Sequence, residues 1–107
     1  MIQAIDFENK KDSEGNPAGG YVKAIGLEIN WQNGPLGRGA DRQEPNGAFV
    51  ETVILSAIKR IEFYQQGQFK CRENACAITK LEEALHWLQS RTARRELEGS
   101  EGTHQGS

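Results

Sequence analysis

Arg91, Arg94 and Arg95 place three guanidinium groups within five residues, and Arg91 and Arg95 stand one helical turn apart on a single face. Two guanidiniums so spaced can grip a phosphate or pyrophosphate through paired, charge-assisted hydrogen bonds. Arginines near a helix C-terminus also offset the helix dipole, and that structural role accounts for them without any ligand. Tyr64 and Phe69 carry a second kind of chemistry, since their rings can stack on a base; equally, they can pack at a turn.

The other reactive residue types form no constellation. Cys71 and Cys76 lie five apart with no further cysteine and no nearby pair of histidines, which is short of the four ligands of a zinc site and of the bridges of a disulfide framework. Two reduced thiols, with Cys76 on the buried side of a helix, is the plain reading. His86 and Cys71 lack a third group to orient them as base and nucleophile. Glu82 and Glu83 are adjacent, so on a helix they diverge and make no paired acid-base site. Gly34, Gly37 and Gly39 resemble a phosphate-binding loop in composition, but the Lys-Ser/Thr that ends a P-loop is missing. A binding protein without cofactor or metal is therefore expected ahead of an enzyme.

The elements that must position these groups follow from composition. Residues 1–47 hold eight of the twelve glycines and all three prolines, whereas residues 48–98 hold only Gly67. Strands and turns are expected first and helices second, an α+β chain with a small antiparallel sheet before a helical hairpin. Ile5 and Phe7 alternate with polar neighbours, and from Tyr21 the positions Ile25, Leu27, Ile29 and Trp31 do the same, so one face of a two-stranded or larger sheet is buried. Lys10 to Gly20 reads as the connection between strands, the second run bends at Gly26, and Gln32 to Asn46 reads as a fifteen-residue loop.

A helix is predicted over 48–65 with Asn46 as N-cap and Glu51 near the positive end of the dipole. Its stripe runs through Phe49, Val50, Val53, Ile54, Ala57, Ile58, Ile61 and Tyr64. Past Gly67, a second helix is predicted over 72–97, with Ala77, Ile78, Leu81, Ala84, Leu85 and Leu88 on its stripe. The short loop dictates antiparallel packing. Helix two exceeds helix one by roughly eight residues, so its arginine-bearing end projects by about 12 Å.

Length and composition set the outer limits. One domain of 107 residues is expected, β-rich and looped over 1–46, helical over 47–98 and ending in a tail over 99–107. Only 36% of residues are apolar and the mean hydropathy is −0.68, too little for a comfortable solitary core. A homo-oligomer is therefore predicted, in which hairpins of two chains complete a bundle. A net charge of −2 removes the broad basic field used to bind duplex nucleic acid. The start of the chain reads neither as a signal peptide nor as a membrane span, and a soluble cytosolic protein is expected.

The strings PNGAFVETVILSAIKRIEFYQ, CRENACAITKLEEALHWLQSRTARRE and EGTH, together spanning about Pro45 to His104, resemble the phage-encoded Thoeris anti-defence family of the first type. That family shares its hairpin with a family of anti-CBASS sponges. The resemblance implies sequestration in the host cytoplasm of cyclic ADP-ribose isomers made by a TIR-domain enzyme, held without cleavage by dimers or by hexamers built from dimers. It also admits cyclic di- and trinucleotides in separate pockets. By the same resemblance Asn74, Arg91, Arg95 and an aromatic at Tyr64 or Phe69 hold the ligand, while Thr103 and His104 close the pocket from the tail. A nucleotide hydrolase and a purely structural hairpin are the competing readings.

Overall fold

The computed structural model describes residues 1–98, and these divide into two compact units, Met1–Phe49 and Val50–Leu97. The first is a three-stranded antiparallel sheet of β1 (Asp6–Lys11), β2 (Pro17–Ala24) and β3 (Leu27–Asn30), in that spatial order. The second is a hairpin of α1 (Val50–Gln65) and α2 (Arg72–Leu97). The expected α+β class is thus present.

The alternation read through Tyr21–Trp31 is broken at the expected Gly26 bend, where the chain reverses. Ile25 and Gly26 form a two-residue turn, with Gly26 at φ +75°, a left-handed conformation that glycine adopts without strain. The turn shifts the phase of the pattern. Val22 pairs with Phe7 on one side and Ile29 on the other, and Ala24 pairs with Leu27, so even positions of β2 share a face with odd positions of β3. Tyr21 and Lys23 accordingly fall on the opposite, charged face beside Asp6, Glu8 and Glu28. Ile25, expected on the apolar face, sits at the turn tip and is 86% exposed.

The fifteen-residue loop after β3 is closed at its base. The Trp31 and Ala48 backbones bridge in parallel, with Gln32 N–H donating to Ala48 O at 2.9 Å and Ala48 N–H to Asn30 O at 2.7 Å. Gly47 crosses so near Trp31 that a Cβ there would stand 2.6 Å from its carbonyl oxygen, which leaves room for glycine alone. Gln32 Oε1 accepts from Asn46 N–H at 2.8 Å, and Asn46 Oδ1 accepts from Asn33 N–H at 2.8 Å. A short 3-10 turn at Gly39–Asp41 and the 2.7 Å bond from Gln43 N–H to Leu36 O fill the interior, in the manner of an Ω-loop. Asn46 is therefore a clasp of this loop and not the N-cap of α1, and the helix starts at Val50, two residues later than predicted.

In the hairpin, α2 has its predicted bounds and is ten residues longer than the sixteen-residue α1, which corresponds to about 15 Å. The turn between them is tied by side chains. Gln65 donates to Cys71 O at 3.1 Å and accepts from Cys71 N–H at 3.0 Å, and Asn74 Nδ2 donates to Phe69 O at 3.1 Å. Cys76, expected on the buried side, is exposed, as is Cys71. Ile58 is the one buried apolar side chain among the described residues, at 3% exposure. The apolar shortage in the composition thus reappears as exposed Phe7, Val50, Leu55, Phe63 and Trp87. None of the described helices is long and apolar enough to cross a membrane.

Candidate functional site

The hairpin turn gathers the aromatic candidates. Tyr64, half-buried in the last turn of α1, meets Phe69 of the connecting turn edge-on with ring centroids 6.4 Å apart. Phe63 joins the cluster at 6.2 Å from Tyr64. Phe69 is 66% and Phe63 59% exposed, so ring faces are presented to solvent where core packing would have hidden them.

Arg60 completes the group. It stands three and four residues before Phe63 and Tyr64, on the same side of α1. Its guanidinium carbon lies 5.2 Å from the Phe63 centroid and 5.1 Å from that of Tyr64, and its Nε donates to the Tyr64 hydroxyl at 3.1 Å. Each such cation–ring contact contributes about 0.5–1 kcal/mol at an exposed site. Neither Arg60 nor Phe63 was singled out from sequence, although the R-x-x-F-Y spacing was there to be read.

Asn74, in the first turn of α2, spends one amide hydrogen on Phe69 O. Its other amide hydrogen and Oδ1 have no partner among the described residues. That donor and acceptor side by side suit the edge of an adenine ring. Tyr64, Phe69 and Asn74 are therefore brought together at one end of the hairpin.

Arg91 and Arg95 are not brought to them. Seventeen residues of continuous α2 separate Asn74 from Arg91, a span of about 26 Å at 1.5 Å per residue. Arg91 and Arg94 are exposed and Arg95 half-buried, all on the part of α2 that outruns α1, and Trp87, 77% exposed, sits one turn before Arg91. Arg94 and Arg95 also lie in the last helical turn, where they offset the dipole. Thr103 and His104 lie outside the described residues. Of the remaining candidates, His86, Glu82 and Glu83 are exposed on α2, and among the described residues no three His, Cys, Asp or Glu side chains cluster as a metal site would require.

Residues 23–93 match the family described as Acb2/Tad1, hairpin domain. The chain is also 49% identical, over 77 residues, to Thoeris anti-defense 1 from Bacillus phage SBSphiJ7, an alignment that covers 72% of this chain and 51% of the relative. The chain thus spans about half the length of that curated relative. The family match takes in Tyr64, Phe69, Asn74 and Arg91 and stops short of Arg95, Thr103 and His104.

Proposed function

Because the chain belongs to the Acb2/Tad1 hairpin family, we propose that it is a phage anti-defence protein that sequesters a cyclic ADP-ribose isomer made by a TIR-domain enzyme. It holds the signal intact in the host cytoplasm, so the downstream effector of Thoeris immunity is not activated. The observation that supports this reading is the separation of two kinds of side chain to opposite ends of one hairpin. Exposed rings and an amide for a base lie at the turn, and paired guanidiniums for phosphates lie about 26 Å away on α2.

One small ligand cannot touch both ends of a single chain. Two hairpins laid antiparallel bring the turn of each against the arginine end of the other, and two equivalent pockets result. The exposed apolar side chains of α1 and α2 supply the contact that such a dimer needs, and hexamers arise from dimers by further contacts. In each pocket the base stacks on Tyr64 or Phe69, Asn74 reads its edge, and Arg91 and Arg95 of the second chain hold the phosphates.

These groups bind and are not asked to move a proton. Sequestration needs ground-state affinity alone, and equal affinity for ligand and transition state accelerates nothing. Incubating cyclic ADP-ribose isomers with the protein, denaturing it by heat and assaying the released ligand tests the reading. Intact, active ligand is the expected product; a linear or hydrolysed nucleotide overturns it in favour of a hydrolase. Cyclic di- and trinucleotides in the same panel show whether separate pockets for them exist.

A further inference from the structure

We propose that Arg60 is a further phosphate-binding residue of the ligand site, held ready by Phe63 and Tyr64 and supplied from the aromatic end of the hairpin. The inference rests on the sequestering function above and adds a cation from the opposite end to Arg91 and Arg95.

Three observations converge on Arg60. Its position is already specified, because the guanidinium lies over two rings and its Nε is bonded to the Tyr64 hydroxyl at 3.1 Å. Much of the rotamer freedom that an exposed arginine loses on binding has been given up in the free protein. Next, its hydrogen bond to Tyr64 uses Nε alone, which leaves the four N–H bonds of Nη1 and Nη2 without a partner among the described residues and available to an acceptor. Finally, its charge is uncompensated. The neighbouring carboxylate, Glu62, is paired with Lys59 at 3.3 Å, and among the described residues Arg60 has no carboxylate partner.

An oriented cation with free donors beside exposed aromatic rings matches one nucleotide half, the base on a ring and the phosphate one sugar away on the guanidinium. Arg60 occupies the hydroxyl end of Tyr64, so the base stacks on the remaining Tyr64 surface or on the Phe69 ring. Phosphates are then clamped from both sides of the two-chain pocket, by Arg60 of one chain and Arg91 and Arg95 of the other.

The test compares wild type with R60Q, R60K and R91A, by calorimetric titration of a cyclic ADP-ribose isomer panel at low and moderate salt, with circular dichroism to verify the fold. A lost charged contact should weaken R60Q by about tenfold or more and flatten the dependence of affinity on salt. R60K should keep the salt dependence while losing part of the affinity, because lysine retains charge without the fork that engages ring and hydroxyl. If R60Q weakens binding with unchanged salt dependence, Arg60 merely orients Tyr64 and the proposal is overturned; wild-type affinity in R60Q overturns it as well. R91A separates the two levels, since weakened R91A beside unchanged R60Q removes Arg60 alone. Folded wild type that binds no isomer removes the sequestering function and this inference together.

Discussion

A mixture of two weakened variants should recover full-affinity sites, and their fraction is set by the geometry of α2. Asn74 and Arg91 stand about 26 Å apart along one continuous helix, so a pocket for a small dianion that uses both must take them from different chains. N74A and R91A each remove one such contact from every pocket of their own homodimer. The loss of a hydrogen bond to a charged group amounts to about 1.5–3 kcal/mol, or roughly 10- to 150-fold in affinity, for R91A, and rather less for the neutral amide of N74A. When the two variants are unfolded together and refolded in equal amounts, half of the dimers are mixed. Each mixed dimer holds one pocket with both residues intact and one with neither, so about one quarter of all pockets regain wild-type affinity. Calorimetric titration reads that fraction directly as tight-site stoichiometry. Absence of any tight sites in a mixture shown to contain mixed dimers would refute the two-chain pocket and place both residues in one chain's site.

Three further perturbations probe the scaffold. Ile58→Ala empties the one buried apolar position among the described residues and should cost about 2–5 kcal/mol, read as a lower denaturant midpoint; a change under about 1 kcal/mol would mean the site collapses around alanine. Asn46→Ala removes both bonds to the Asn33 backbone, so the Asn33 amide should exchange its hydrogen faster, and retained protection would show that Gln32 alone closes the loop. The Tyr21 phenol is pushed above its ordinary value of 10.0, first of all by the Asp6 carboxylate. Ionising it is harder in the folded chain, and D6N in a Y64F background should lower the midpoint of the single remaining phenol transition; an unmoved midpoint would contradict that cause.

The helices were the most legible part of the chain, for a physical reason. The stripe of α2 from Ala77 to Leu88 keeps a helical period between a glycine-containing turn and Gly99, and both bounds followed from that punctuation. The start of α1 did not, because Asn46 has the side chain of an N-cap but spends it on Asn33, thirteen residues back. A local rule cannot register a bond at that separation. The Ile25-Gly26 turn was legible only as a bend at Gly26, since a two-residue turn filled by Ile and Gly continues the apolar-polar alternation while reversing the chain. At the site, Arg91 and Arg95 were legible as a pair because their spacing is that of one turn. Arg60 lies off the apolar stripe of α1, and only the ring positions show that it is held.

If the pocket is split between chains, ligand binding and association become a single equilibrium. A ligand that bridges two chains binds the dimer and not the monomer, so it stabilises the dimer by RT ln(1 + [L]/Kd) per pocket, about 2.7 kcal/mol at a hundredfold excess over Kd. This matters for a chain whose units bury so little on their own, since Ile58 alone among the described residues is withdrawn from water. The exposed apolar side chains of the hairpin and the separated half-sites then have a common consequence. In such a dimer the second copy that covers the exposed Val50 and Leu55 would also deliver the arginines, and a protein built in this way would tighten as it fills. Thermal midpoints should therefore rise with ligand and with protein concentration together. A midpoint that rises with ligand but is indifferent to protein concentration would mean that the dimer never dissociates over the measured range or that one chain binds alone, and a sedimentation experiment on the free protein decides between the two.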